Sequence, residues 1–169
     1  WLPVAPSTAL MPALPGQGRI VFASSRGDGD AFDIFSADLA GEQVVNLTND
    51  AFPDRSPSWS PDAEYIVFSS RRQNNWDLYV MRADGSEVRR LTDDPAYDGE
   101  PSWSPDGRSI AFTSARGGDL DIYLLDIVSG NVRRLTDDPA VDSQPAWSPD
   151  SRRIAFTSWR DRNQEIYLV

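Results

Sequence analysis

Carboxylates are the only abundant groups in this chain that could carry acid–base chemistry, and they recur at fixed places. Asp54, Asp98 and Asp142 sit in three related loops, read as N-D-A-F-P-D-R-S from Asn49, D-D-P-A-Y-D-G-E from Asp93 and D-D-P-A-V-D-S-Q from Asp137. A second series, Asp33, Asp77, Asp121 and Glu165, follows loops that bear Arg26, Arg72, Arg116 and Arg160. Histidine and cysteine are absent, and all 16 basic residues are arginine. A Ser–His–Asp relay and an imidazole base are therefore excluded. So are an ordinary zinc site, a Schiff base and a phosphate-binding P-loop lysine. Carboxylate catalysis, hard-cation binding through oxygen and arginine clamps on anions are what remain.

Each of these possibilities meets the repetition. Glycoside hydrolysis by two carboxylates needs one asymmetric pair in unlike environments. Here the acids recur unit by unit with no break of the kind a catalytic site makes, so no enzyme activity is expected. Calcium could be held by the clustered loop acids, although no loop has the spaced D-x-D-x-D-G pattern, and no other cofactor is implied. The second acid series is expected to pair with an arginine, or with loop amides, inside each unit. Asp54, Asp98, Glu100 and Asp142, with Trp76 and Trp159 in neighbouring loops, form a candidate partner-binding rim. An acidic rim with exposed aromatics suits a basic segment of a protein partner. The alternative is that these acids make local turns and cap loop amides. Arg26–Gly27–Asp28 is read as a coincidence of composition.

The net charge of −10 disfavours nucleic acid as a partner. No apolar run approaches the roughly 18 residues of a membrane span, so this segment is not expected to insert in a bilayer. Residues 1–17 are uncharged and interrupted by Pro3, Pro6, Pro12 and Pro15. Without a basic leading region they read as the start of a processed or truncated chain, not as a signal peptide.

The elements that must position these residues are set by an internal repeat. Trp59, Trp103 and Trp147 are spaced by 44 residues, as are Leu47, Leu91 and Leu135, each followed by threonine. Phe35, Tyr79, Tyr123 and Tyr167 keep that interval, and so do Pro57, Pro101 and Pro145. In the third unit the pattern predicts a first strand around Trp103, then strands over 109–114, 121–126 and 131–136. Four short strands in such a period make one blade of an all-β propeller with four-stranded antiparallel blades. Second and third strands are apolar on both sides of the pleat, as suits sheets sandwiched between neighbours. Arg89, Arg90, Arg133 and Arg134 mark the fourth strand as an outer edge. The prolines, which cannot donate to a ladder, mark the first strand as innermost.

The run W-S-P-D-G-R-x-I-A-F-T-S from Trp103 to Ser114, with D-I-Y at Asp121–Tyr123 and R-R-L-T at Arg133–Thr136, resembles the WD-type repeats of TolB-like β-propellers. The resemblance covers residues 18–169. It implies a bacterial periplasmic or extracellular protein and rings of roughly six to eight blades, whereas this chain holds about four. It also implies a docking platform, a sensor ectodomain or a gate. The expected function is a non-catalytic scaffold that binds a protein partner or closes its ring as a homodimer. The alternative is a ligand- or cation-binding sensor or gating domain of a larger secreted or membrane-anchored enzyme or kinase. Residues 1–17 read as an extension in which 11–19 is a worn copy of a first strand. The last unit stops in its third strand, and residues 1–10 are expected to offer the missing fourth, within one chain or between two.

Overall fold

A computed structural model describes residues 18–26 and 31–169; the worn strand, the strand-donating segment and most of the Arg-Gly-Asp tripeptide lie outside them. Every described element is a β-strand. Blade 1 contains β1 (Arg19–Ser24), β2 (Asp33–Asp38) and β3 (Val45–Asn46). Blade 2 contains β4 (Asp54–Trp59), β5 (Tyr65–Ser70), β6 (Asp77–Arg82) and β7 (Arg89–Arg90). Blade 3 repeats it as β8 (Asp98–Trp103), β9 (Ser109–Ser114), β10 (Asp121–Asp126) and β11 (Val132–Arg134). Blade 4 has β12 (Asp142–Trp147), β13 (Ile154–Ser158) and β14 (Glu165–Leu168). Each sheet is an antiparallel meander in chain order, and no sheet closes on itself. The first strands β4, β8 and β12 lie side by side and so line the axis of a partial propeller.

Alternation within each strand builds the joints between blades. Ile66 and Phe68 of β5, with Tyr79 and Met81 of β6, pack against Ile34 of blade 1. Val67 and Leu78, on the opposite face of blade 2, pack against Ile110, Phe112, Tyr123 and Leu125 of blade 3. Ala111 and Leu124 then face Ile154 of blade 4. Trp59, Trp103 and Trp147 each lie at one of these three seams.

The repeated polar motifs close the turns. In W-S-P-D, Ser104 Oγ donates to Asp106 Oδ1 at 2.6 Å and accepts the Ser109 N–H at 3.0 Å, which cinches the β8–β9 turn. Its apex residue has positive φ, taken by Gly107 here and by Ala63 and Ser151 in the neighbouring blades. The L-T pair ends the fourth strand earlier than the sequence suggests. Leu135 N–H donates to the Ile122 carbonyl at 2.8 Å, while Thr136 Oγ1 accepts the Ile122 N–H at 3.0 Å. The chain is thus clipped sideways after Arg134 and does not continue the ladder. Thr48 and Thr92 make the same clip to Ile34 and Leu78. At the other end, β8 begins at Asp98 and so takes the acidic loop residue into the strand.

Thr92→Val keeps the shape of a buried side chain but strands the Leu78 N–H. A loss of about 1–3 kcal/mol in urea unfolding is expected. A change below about 0.5 kcal/mol would show that the clip contributes nothing.

Candidate functional site

The three first-strand acids are locked in place by backbone from both sides. Asp54, Asp98 and Asp142 donate their N–H groups to the Phe32, Trp76 and Leu120 carbonyls of the preceding blade at 2.7, 2.9 and 2.8 Å. Their side chains are fully buried. Each carboxylate meets an arginine from the loop between the second and third strands of its own blade. Arg72 Nη2 lies 2.9 Å from Asp54 Oδ2, Arg116 Nη2 2.6 Å from Asp98 Oδ2, and Arg160 Nη2 2.9 Å from Asp142 Oδ2.

Those guanidiniums also roof an aromatic pair. Arg116 stands 5.5 Å over Phe112 and 5.3 Å over Tyr123. Arg160 covers Phe156 and Tyr167, Arg72 covers Phe68 and Tyr79, and Arg26 covers Phe22 and Phe35. Arg116 Nε donates to Ser114 Oγ at 3.0 Å and Arg160 Nε to Ser158 Oγ at 2.8 Å, which fixes the plane of each.

The acids before the third strands are paired as well, within their own blades. Asp77 binds Arg90 at 2.8 Å and Asp121 binds Arg134 at 2.5 Å, both arginines from the fourth strand. In blade 1, Asn46 holds the equivalent place and donates to Asp33 at 2.8 Å. Glu165 is exposed and accepts from Asn163. The reason is register. Arg90 stands opposite Tyr79, so Asp77 lies one step along the same face of the sheet. One arginine of each fourth-strand pair therefore turns inward, and Arg89 and Arg133 are left for the edge.

Burial shifts three of these acids. It pushes Asp54 up to about 6 against the pull of Arg72, and it raises Asp77 and Asp121 as well. The turn acids Asp62, Asp106 and Asp150 go the other way, held low first by the hydroxyls of Ser60, Ser104 and Ser148.

These placements correct the expected rim. Asp54, Asp98 and Asp142 present no carboxylate to solvent: each is fully buried and turned onto the arginine of its own blade. Trp159 is 51% exposed, in the blade 4 loop. Trp76 and Glu100, both half-buried, meet at a cavity of about 200 Å³ between blades 2 and 3, also lined by Arg55, Ser56, Ser69 and Tyr97. These four residues went unnoticed in the sequence, yet a signal for them existed. Tyr97 replaces Pro53 and Val141, Gly99 replaces Arg55 and Ser143, and Glu100 replaces Ser56 and Gln144. The repeat is broken here after all.

At the cavity, the Arg55 guanidinium lies 5.0 Å from the Phe32 ring and 5.4 Å from the Trp76 ring. The Tyr97 hydroxyl occupies the space where a side chain at position 99 would begin, which only glycine allows. Burial, with Glu100 next in effect, pushes Tyr97 up to about 12, so its hydroxyl keeps its proton. Glu100 Oε2 accepts from Thr113 Oγ1 at 2.8 Å and from the Gln144 N–H at 3.0 Å. Among the described residues no cluster of three or more acidic side chains is arranged to hold a metal ion.

Arg116→Ala leaves the buried Asp98 carboxylate without its counter-charge and uncovers two rings; a loss of about 3–5 kcal/mol is expected in urea unfolding. Acidity gives a second check. Asp54 is raised from 3.8 to about 6, so its contribution to stability is complete below pH 3.8 and is lost as pH rises through 6. Asp77 and Asp121 act in the same direction. The lowered turn acids contribute above 3.8 and lose their effect as pH falls through their depressed values. The melting temperature should therefore be higher at pH 5 than at pH 7.5, with Asp54→Asn reducing the difference.

The description "TolB beta propeller domain" fits residues 56–123 and again 99–169. Among solved structures, TolB from Acinetobacter baumannii superposes with a TM-score of 0.81 at 29% identity, over 91% of this chain and 39% of that one. Putative TolB from Agrobacterium tumefaciens gives 0.82 at 24% identity, over 90% of this chain and 57% of that one. Oligogalacturonate lyase from Vibrio parahaemolyticus, at 16% identity, gives 0.65 over 89% of this chain and 45% of that one, and shares the fold. The chain spans less than two thirds of each of these proteins. With two overlapping matches that together cover residues 56–169, the chain belongs to the TolB β-propeller domain family.

Proposed function

We propose that this chain is a non-catalytic propeller module, periplasmic or extracellular in a bacterium, that works by assembling with protein, a second copy of itself first. The observation that carries the proposal is the open face of blade 4. Ile122 and Leu124 of β10 are buried under the following blade, but their counterparts Ile166 and Leu168 of β14 are 69% and 65% exposed. On the other side, Val21 and Ala23 of β1 pack inward, so Ile20, half exposed, points away from blade 2. Two copies that join the Ile166 face of one to the Ile20 face of the other would close a ring about a two-fold axis. Exposed apolar faces of this kind favour such closure.

The absence of catalysis is supported by what the carboxylates do. Most of the repeated acids that could act as acid or base are held in ion pairs or turn hydrogen bonds within the sheets. The sequence supplies no histidine, lysine or cysteine to replace them. The net charge of −10 and the exposed loop acids Asp93, Asp137 and Asp161 support a partner that presents a basic segment to the loop end of the blades.

Light scattering at micromolar concentration should report a particle near twice 18.8 kDa. Ile166→Asp with Leu168→Asp should convert it to monomer, with an unfolding midpoint that falls and no longer depends on protein concentration. A wild-type monomer would refute closure by a second copy. Turnover of glycoside, ester or peptide substrates that depends on one carboxylate would refute the non-catalytic reading.

A further inference from the structure

Most structural tasks in this molecule are done by residues that recur every 44 positions. The departures from the repeat on the first strands are therefore informative, and several of them surround one cavity. Arg55, Tyr97, Gly99 and Glu100 each differ from their counterparts in the other blades, and all belong to or adjoin the cavity between blades 2 and 3. The path of the first strand does not require them. Blade 4 builds the same bulge and the same first strand with Val141, Ser143 and Gln144.

Arg55 is unlike the paired arginines of the sheets. Arg72, Arg90, Arg116, Arg134 and Arg160 each bind a buried aspartate, whereas Arg55 has no carboxylate within ion-pair distance among the described residues. Its guanidinium instead stands 5.0 Å from the Phe32 ring and 5.4 Å from the Trp76 ring. A guanidinium resting against aromatic rings keeps N–H donors free to fork onto an oxyanion. Glu100 supplies the opposite charge in the same cavity. Its Oε2 is anchored by Thr113 and Gln144, which holds the carboxylate in place toward blade 4. Ser56, Ser69 and Tyr97 line the space with hydroxyls, and Ser69 already accepts the Glu100 N–H at 3.1 Å.

We infer that this cavity is a binding site for a group that carries a carboxylate and a cationic nitrogen side by side, the carboxylate on Arg55 and the cation on Glu100. A doubly charged anion is disfavoured by Glu100, and a simple cation by Arg55. At about 200 Å³ the cavity takes one or two side chains or a small free amino acid. The inference rests on the reading of the chain as a partner-binding module. It names what the partner presents there: an acidic side chain next to a basic one.

The test is a titration of the ¹⁵N-labelled chain followed by NMR, with the Trp76 indole N–H assigned through Trp76→Phe. The probes are the capped peptides acetyl-Ala-Glu-Lys-Ala-amide and acetyl-Ala-Glu-Ala-Ala-amide, and free alanine. The Glu-Lys peptide should shift the Trp76 and Arg55 side-chain resonances and bind more tightly than the Glu-Ala peptide. Arg55→Lys, which keeps the charge but not the planar fork, should weaken it at least about five-fold. Glu100→Gln should abolish the preference for the lysine-bearing peptide. If alanine alone binds, with the same dependence on Arg55 and Glu100, the site stands and its ligand is a free amino acid. No shift with any probe, or equal binding by Arg55→Lys, overturns the site. Because the oligomeric state is read separately, a dimer that ignores the probes removes the pocket and leaves the module. A monomer that still binds them does the reverse.

Discussion

One guanidinium in each of blades 2, 3 and 4 ties three strands together, and much of the structure hangs on it. In blade 3, Arg116 leaves the turn between β9 and β10, spreads over Phe112 and Tyr123 of those strands, and ends on Asp98 of β8. Removing a carboxylate from water is costly, and a single charge partner rarely offsets that cost. Here the offset also includes two ring faces and a serine hydroxyl on Nε. Lysine could supply the charge but neither the planar stack nor the second donor. Because the aspartate's own amide is spent on the preceding blade, the pair also sets where one blade sits against the next.

Strain at the inner strands fits the same scheme. Ser56, Glu100 and Gln144 have φ of 52°, 54° and 57°, each just before a proline, and each lies within a register shift between first and second strands. Left-handed backbone in a non-glycine residue costs on the order of 1–2 kcal/mol. The bulge turns that residue's N–H out of its own ladder and into the preceding blade, where Ser69 receives Glu100 and Thr113 receives Gln144. The prolines thus do more than tolerate an unpaired channel side; they follow a bulge that exports a hydrogen bond.

Much of this architecture was legible in the sequence because the core is written in the repeat. Strand spans over 109–114 and 121–126 were readable from apolar runs bounded by turn residues, and β9 and β10 occupy them. Pairing was not legible. Arg72 has Asp54 upstream and Asp77 downstream, and sequence distance alone favours the wrong one. Nor was burial of the first-strand acids, since the Asp98 amide is bound by the Trp76 carbonyl of another unit. The cavity escaped for the opposite reason. Emphasis on the landmarks that recur hides the positions that do not, and Arg55, Tyr97 and Glu100 are of that second kind.

The seams also have a direction. At the inner strands, the amide of Asp98 donates backward to Trp76, that of Glu100 to Ser69 and that of Trp103 to Ser58, and blade 4 donates to blade 3 through the amides of Asp142 and Gln144 and the indole N–H of Trp147. Along its inner strand a blade is thus a donor on one face and an acceptor on the other, like a link with a hook and an eye. Such a unit adds to its own kind at either end without a new interface being invented. The number of blades is then limited by the angle each seam contributes to a full turn, and not by chemistry. Gene duplication could lengthen or shorten the arc one repeat at a time, with every intermediate keeping seams that already fit.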